Sequence, residues 1–281
     1  MTGAWRRDGK RRDEASLINA TVPNAGRVAN YLDGGRDNFE ADRKAAQSLV
    51  AAAPVIGLIA PAWHAFFQRA VRYLVREAGV RQFLHIAIAL AASNYADEYI
   101  WSVDPGCRIA LVGSDAQVLA HARALMRSEH DGGAGHPEGA IGYIHAEITD
   151  PAAIVAGARE MLDFSQPIAI ALPFTLGFVA DTAAAAGIVS TLADAVPPGS
   201  HIVIHHVASE LNPALAAAAR RWNQASSQPI TLRSKDEVAS LVAGLDLVPP
   251  GVVPISEWRP APGDPHSGEI IPLHAVVARK P

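Results

Sequence analysis

The sequence predicts an α/β protein, with helices on both faces of a mostly parallel sheet and a helical lobe ahead of it. Three observations carry this expectation. Beyond Gly79, short apolar runs alternate with stretches of helical periodicity, the pattern of strand–helix–strand units. Before Gly79, the apolar spacing is helical throughout. With 281 residues, 49% hydrophobic and 19% charged, the chain can bury a sizeable core, as one large domain or as a domain with an extra lobe.

The elements follow in order. Residues 1–13 are polar and hold a basic run, Arg6-Arg7 to Lys10-Arg11-Arg12, so a solvated tail is expected there. Residues 14–79 form the helical lobe. A short helix suits 14–19, and Gly34-Gly35 breaks the pattern that follows. Asp37 is placed to cap a helix over 38–52, which Pro54 ends. An amphipathic helix over 56–78 is expected to kink in its first turns at Pro61. Residues 80–281 form the sheet domain. Its strands are expected at 83–89, 108–113, 140–146, 168–172, 201–206, 246–249 and 274–279. Helices fall at 93–101, 116–128, 151–162, 181–195, 213–224 and 235–243. The Gly- and Pro-rich stretches 130–139 and 259–269 read as loops. In such sheets ligands bind at the carboxyl ends of the strands, here 88–92, 113–115, 146–149, 172–177 and 205–209.

Composition narrows the function. The net charge of −4 argues against a nucleic-acid binder, which carries a basic face or stripe. The single cysteine, Cys107, rules out an internal disulfide and a thiolate-rich metal site, and fits a reducing, cytoplasmic setting. The N-terminus has no apolar signal-peptide core, and no apolar run is long enough for a membrane span. There is no G-x-S-x-G elbow, P-loop or intact G-x-G-x-x-G, and no histidine pair at metal-ligand spacing, so no metal is expected.

Seven stretches stand out: RVANYLDGGRDNFEADRKAA (27–46), RAVRYL (69–74), RQFL (81–84), AEITDP (146–151), PGS (198–200), LVPPGVVP with WRP (247–260) and the final ARKP (278–281). Together they resemble a family of S-adenosylmethionine-dependent methyltransferases found in GC-rich Gram-positive bacteria, mostly of unassigned substrate. The resemblance implies a Rossmann-like class I methyltransferase fold, with a seven-stranded sheet whose last strand is antiparallel. It also implies a cofactor turn after the first strand, roughly D-I-G-T-G-L-P-T, where this chain has His85-Ile86-Ala87-Ile88-Ala89-Leu90-Ala91-Ala92. Both glycines and the acid are replaced. Glycine there lets backbone approach the cofactor and take positive φ, and each alanine adds a Cβ. The resemblance assigns the ribose hydroxyls to an acid at the end of the second strand, where this chain has Gly113, with Asp115 two residues on. Losing a charge-assisted hydrogen bond of that kind costs about 1.5–3 kcal/mol. A family histidine after the fourth strand becomes Gly177, and an Asn-Arg pair on the long helix becomes Trp63-His64. Glu147, at the position facing the adenine, remains acidic.

The candidate site residues follow. His205 and His206 end the fifth strand, where alternation lets only one face a pocket. His64 is a proton-shuttle candidate on the long helix, or a helix-packing residue. Glu98 aligns with an acid of the family. His85 reads as a satisfied core histidine or a pocket group. His145 and Glu147 share a strand face, as an acid–base pair or a solvated sheet end. Trp63 and Phe174 suit an aromatic substrate. Tyr31, Asp33, Arg36, Asp37 and Asn38 either position a substrate or fold the lobe. If the cofactor is kept, Ala87, Ala89, Asp115 and Glu147 surround it.

The expected function is a divergent methyltransferase-fold enzyme of specialised metabolism that has lost S-adenosylmethionine. It performs cofactor-free acid–base chemistry, a cyclisation or condensation, on a small substrate. An active S-adenosylmethionine-dependent methyltransferase is the alternative, and a non-catalytic partner subunit the second. The expected partner is a small molecule, with no nucleic acid and no membrane; a homodimer is left open.

Overall fold

A computed structural model of the protein describes residues 19–87, 95–114, 141–264, 266 and 268–281. The expected helices at 14–19 and 116–128, the loop at 130–139, and residues Ala89 and Asp115 lie wholly or almost wholly outside these.

The lobe begins with α1 (Ala25–Leu32), whose Asn24 side chain accepts from the amides of Gly26 and Arg27. The N-cap satisfies amides that the first helical turn leaves unpaired. The turn after α1 needs both of its glycines. Gly34 has φ +82°, and a Cβ on Gly35 would overlap the Asn30 side chain. Helix α2 (Glu40–Ala52) starts at Phe39 and not at Asp37. Asp42 at its third position accepts from the Phe39 amide at 2.8 Å, so the capping carboxylate reaches back from inside the helix. A 3₁₀ turn, Pro54–Leu58, comes next, then α3 (Ile59–Arg76). The expected single helix from 56 is therefore two elements, with Pro61 in the first turn of α3, where its missing N–H costs nothing.

The sheet domain contains β1 (Gln82–Ile86), α4 (Tyr95–Val103), β2 (Arg108–Gly113), β3 (Ile141–His145), α5 (Pro151–Ala158), β4 (Ala169–Pro173), α6 (Thr182–Ala195), β5 (His201–Val207), α7 (Ala214–Ala225), α8 (Lys235–Ser240), β6 (Asp246–Leu247), β7 (Val253–Pro254) and β8 (Leu273–Arg279). The strand order is β3-β2-β1-β4-β5-β8-β6, with the two-residue β7 also beside β8. Strands β1 to β5 pair in parallel, and β8 runs antiparallel to β5, with His206 opposite His274. The expected sheet with an antiparallel last strand is present, and β7 is one short strand more. β6 stops at Leu247, two residues before the cis Pro249-Pro250 bond.

Strands β1, β4 and β5 are buried along their whole length, which is why they read as continuous apolar runs. Alternation sorts their side chains onto two faces. One face holds Phe83, Val203, Val207 and Val277 against α3 and its Phe66, Phe67 and Leu74. The other holds Leu84, Ile204 and Val276 against α5 and α6. The strand order reverses beside β1, and the lobe sits over this switch point.

Candidate functional site

A cavity of ≈ 280 Å³ opens between the carboxyl ends of the strands and the lobe. Its floor comes from Ala87 after β1, Leu111 to Gly113 of β2, and Pro173-Phe174 at the end of β4. The lobe adds Val28, Leu32, Asp33, Ile59 and Trp63. Helix α7 and the segment after it add Trp222, Ile230 and Leu232. The volume lies just below the roughly 300–1,000 Å³ of ordinary ligand pockets, and the wall is mostly apolar with a few polar groups.

The floor has a specific backbone. Phe174 takes φ +56°, a left-handed conformation that costs a non-glycine residue energy. Thr175 holds the turn with its hydroxyl, whose one proton is shared between the carbonyls of Ile86 (2.7 Å) and Pro173 (2.9 Å), tying the ends of β1 and β4 together. The Phe174 ring then stands edge-on to His205, with 4.2 Å between ring centres. Above it, Gly177 accepts from the Thr231 amide at 2.8 Å. That contact draws Ile230 and Leu232 over the cavity. A Cβ at Gly177 would sit 3.3 Å from Ile230, closer than ordinary packing allows. Gly177 leaves room for the Ile230 side chain beside it.

The sequence-predicted residues separate by face. His205 points to the lobe side, where the Trp63 ring lies 4.9 Å away. It is 2% exposed, and its Nε2 has no hydrogen-bond partner among the described residues. Burial pushes its pKa well below the usual imidazole value, helped by the neighbouring His206, His85 and His64. His206 points to the opposite face, away from the cavity. Its Nε2 meets Arg233 at 2.8 Å, and burial holds it down to about 4. His64 is half-buried and lies 3.4 Å from Asp33. Burial lowers its pKa, and the Asp33 carboxylate pulls the other way. Glu98 is exposed on the first turn of α4.

The lobe motif does structural work. Asn38 donates to the Asn30 side chain and the Gly35 carbonyl, both at 3.0 Å, and accepts from Arg43. Tyr31 accepts from Gln47 at 3.3 Å, and Arg36 is exposed. Of that motif, Asp33 reaches the cavity. His145 is exposed and bonded to the Ser114 carbonyl at 3.0 Å, and Glu147 is exposed on the loop after β3.

Sequence reasoning missed Trp222, Ile230 and Leu232, and left His85 undecided. The alternation of Ile230-Thr231-Leu232 was a signal for an extended segment. The signal at His85 was its place where the family carries an acid. Asp97, in the first turn of α4, is buried and lines the cavity.

A family model described as S-adenosyl methyltransferase matches residues 11–281. The chain belongs to that family. A DUF574 family protein from Streptomyces avermitilis is 31% identical over 92% of this chain and 98% of its own, with a TM-score of 0.83. A putative methyltransferase from Thermobifida fusca YX is 30% identical over 96% and 99%, again with a TM-score of 0.83. No curated protein matches.

S-adenosyl methyltransferases imply S-adenosylmethionine, so the described residues at its positions matter. Ala87 lines the cavity, and its amide donates to the Val112 carbonyl at 3.1 Å. It therefore serves the sheet. The residue that the resemblance gives to the ribose is Gly113, with no side chain to offer. The residue it gives to the acid of β1 is His85, a buried imidazole. No Lys or Arg among the described residues lines the cavity to meet the cofactor's carboxylate. The described residues do not fit the group. Among the described residues no cluster suits a metal ion, and no single helix is long and apolar enough to cross a membrane.

Proposed function

We propose that the chain is a methyltransferase-fold enzyme that no longer uses S-adenosylmethionine. It holds a small, ring-bearing, mainly apolar molecule between lobe and sheet and acts on it by proton transfer, in a cyclisation or condensation. The observation that carries the reading is the apolar cavity at the switch point, where His85 and Gly113 stand in place of the family's acids. Trp63 and Phe174 supply aromatic faces for a ring. His64 does not itself line the cavity, but it follows the lining residue Trp63 and lies 3.4 Å from the lining Asp33, and it is the proton-exchanging group of this reading. His205 lies deeper, behind Trp63, and shapes the floor. His206 and Glu98 are left out of this reading because they stand away from the cavity.

Proton exchange tests it. In D₂O the protein should accelerate α-deuteration of 2-tetralone, a neutral bicyclic ketone, and His64→Gln should remove that acceleration while the ketone still binds. Bound ketone exchanging at the buffer rate would contradict proton transfer.

Family membership favours a second reading, a working S-adenosylmethionine-dependent methyltransferase with a rebuilt turn. Glu147 and Asp115 would then hold the adenosyl part. This reading requires that Ala87→Gly with Ala89→Gly leave methyl transfer unchanged or raise it.

A further inference from the structure

The charged groups of the cavity wall are all of one sign. Asp33 and Asp97 bring carboxylates to it, and no Lys or Arg among the described residues does. Asp33 follows α1 in the lobe, and Asp97 lies in the first turn of α4 in the sheet domain. The side chain of Asp33 is 14% exposed, so a ligand in the cavity can touch it. Asp97 is 6% exposed and acts mainly through its field, which is strong where little water screens it.

The histidines nearby do not cancel this charge. Burial pushes His85 down to about 4 and holds His205 well below the usual imidazole value. His64, 3.4 Å from Asp33, is lowered by burial more than the carboxylate raises it. At pH 7.5 all three rings are therefore neutral. An ammonium can join the contacts that Asp33 already makes, because a carboxylate accepts several donors at once.

The rest of the wall suits a ring. Trp63 of α3, Phe174 after β4 and Trp222 of α7 all line the cavity. Trp222 is held in place by its indole N–H, which donates to the Gln228 carbonyl at 2.6 Å. A cation is attracted to the face of an aromatic ring, most strongly to tryptophan. Bringing an ammonium out of water costs free energy, and the carboxylates and indole faces offset it. An anion would bear the same cost and meet two like charges.

We infer that the cavity takes a ring-bearing amine in its cationic form, its ammonium at Asp33 within the field of Asp97 and its ring against Trp63, Phe174 and Trp222. The inference rests on the proposed small-molecule cavity and names the class of molecule that fills it. An uncharged ketone shares the ring contacts alone and binds more weakly.

Calorimetric titration at pH 7.5 with 2-naphthylmethylammonium, its neutral isostere 2-naphthylmethanol, and 2-naphthoate tests it. The ammonium should bind about tenfold tighter than the alcohol, and the carboxylate at least about tenfold weaker than the alcohol. Asp33→Asn keeps the shape and removes the charge. It should bring the ammonium and the alcohol within about twofold of each other and leave the alcohol's own affinity unchanged. The preference should persist in about 0.5 M NaCl, since a pair held out of water is screened little, whereas attraction to the net charge of −4 would vanish. Equal binding of ammonium and alcohol, a preference untouched by Asp33→Asn, or a preference lost in salt overturns the amine assignment and leaves the cavity reading standing. Tightest binding of the carboxylate overturns it as well. If none of the three binds, the inference falls, and if S-adenosylmethionine binds in their place, the proposed function falls with it.

Discussion

His85, His201 and His206 are each buried and each pushed down to about 4. In the unfolded chain an imidazole titrates near 6.5. Between those values the unfolded state binds more protons than the folded one, so stability falls as the pH drops through that window. Above about pH 6.5 this contribution is fully present. At pH 5 unfolding should take up about three protons. Denaturant midpoints measured from pH 8 to pH 4 should be flat at first and then fall steeply. A flat profile down to pH 4 would mean these rings are charged or exposed when folded. Cys107 is the counterpart among thiols. It is fully buried, and burial raises it to about 11. A thiol-specific aromatic disulfide reagent at pH 8 should react with the native protein at least about a hundredfold more slowly than with the unfolded chain. Comparable rates would place Cys107 at the surface.

The family motif of the lobe survives because it fastens elements to one another. Arg27 and Asp42 form a buried pair at 2.8 Å, and Asp42 also accepts from the amides of Asn24 and Phe39. One carboxylate therefore joins α1 to α2. Arg69 on α3 does the same across the molecule, donating to the carbonyls of Trp258 (2.7 Å) and Ile255 (2.8 Å). Removing one partner of a buried pair costs about 3–5 kcal/mol. Asp42→Ala should accordingly lower the melting temperature by about 10 °C in calorimetry. A change within a degree or two would contradict the fastening role. The strands and helices were legible in the sequence because burial on both faces writes continuous apolar runs, and the helices write period 3.6. The start of α3 was not, because Pro54 and Pro61 both suit a helix's first turn and local rules cannot choose between them. Helix α1 had its signal in Asn24, which caps it. The two faces of β5 were legible only as an alternation. Which histidine meets the lobe depends on α3 lying over Val203 and Val207, a contact between distant parts of the chain.

At the scale of the whole molecule, the family fold is kept, and His85, Ala87 and Gly113 stand where the sequence resemblance puts the cofactor turn and the ribose acid. The sequence carried this much of the site, since His85, Ala87 and Gly113 are visible substitutions. It did not carry the cavity, whose wall joins α1, α3, α7, the segment at Ile230 and residues of β1 to β5. In the proposed reading, the lobe and the floor together form a pocket for a ligand other than S-adenosylmethionine. Calorimetric titration of the purified protein with S-adenosylmethionine and S-adenosylhomocysteine tests that claim most directly. The account predicts no heat of binding up to millimolar ligand, weaker than about −4 kcal/mol. Binding at micromolar Kd, about −8 kcal/mol, would contradict it and restore a working methyltransferase.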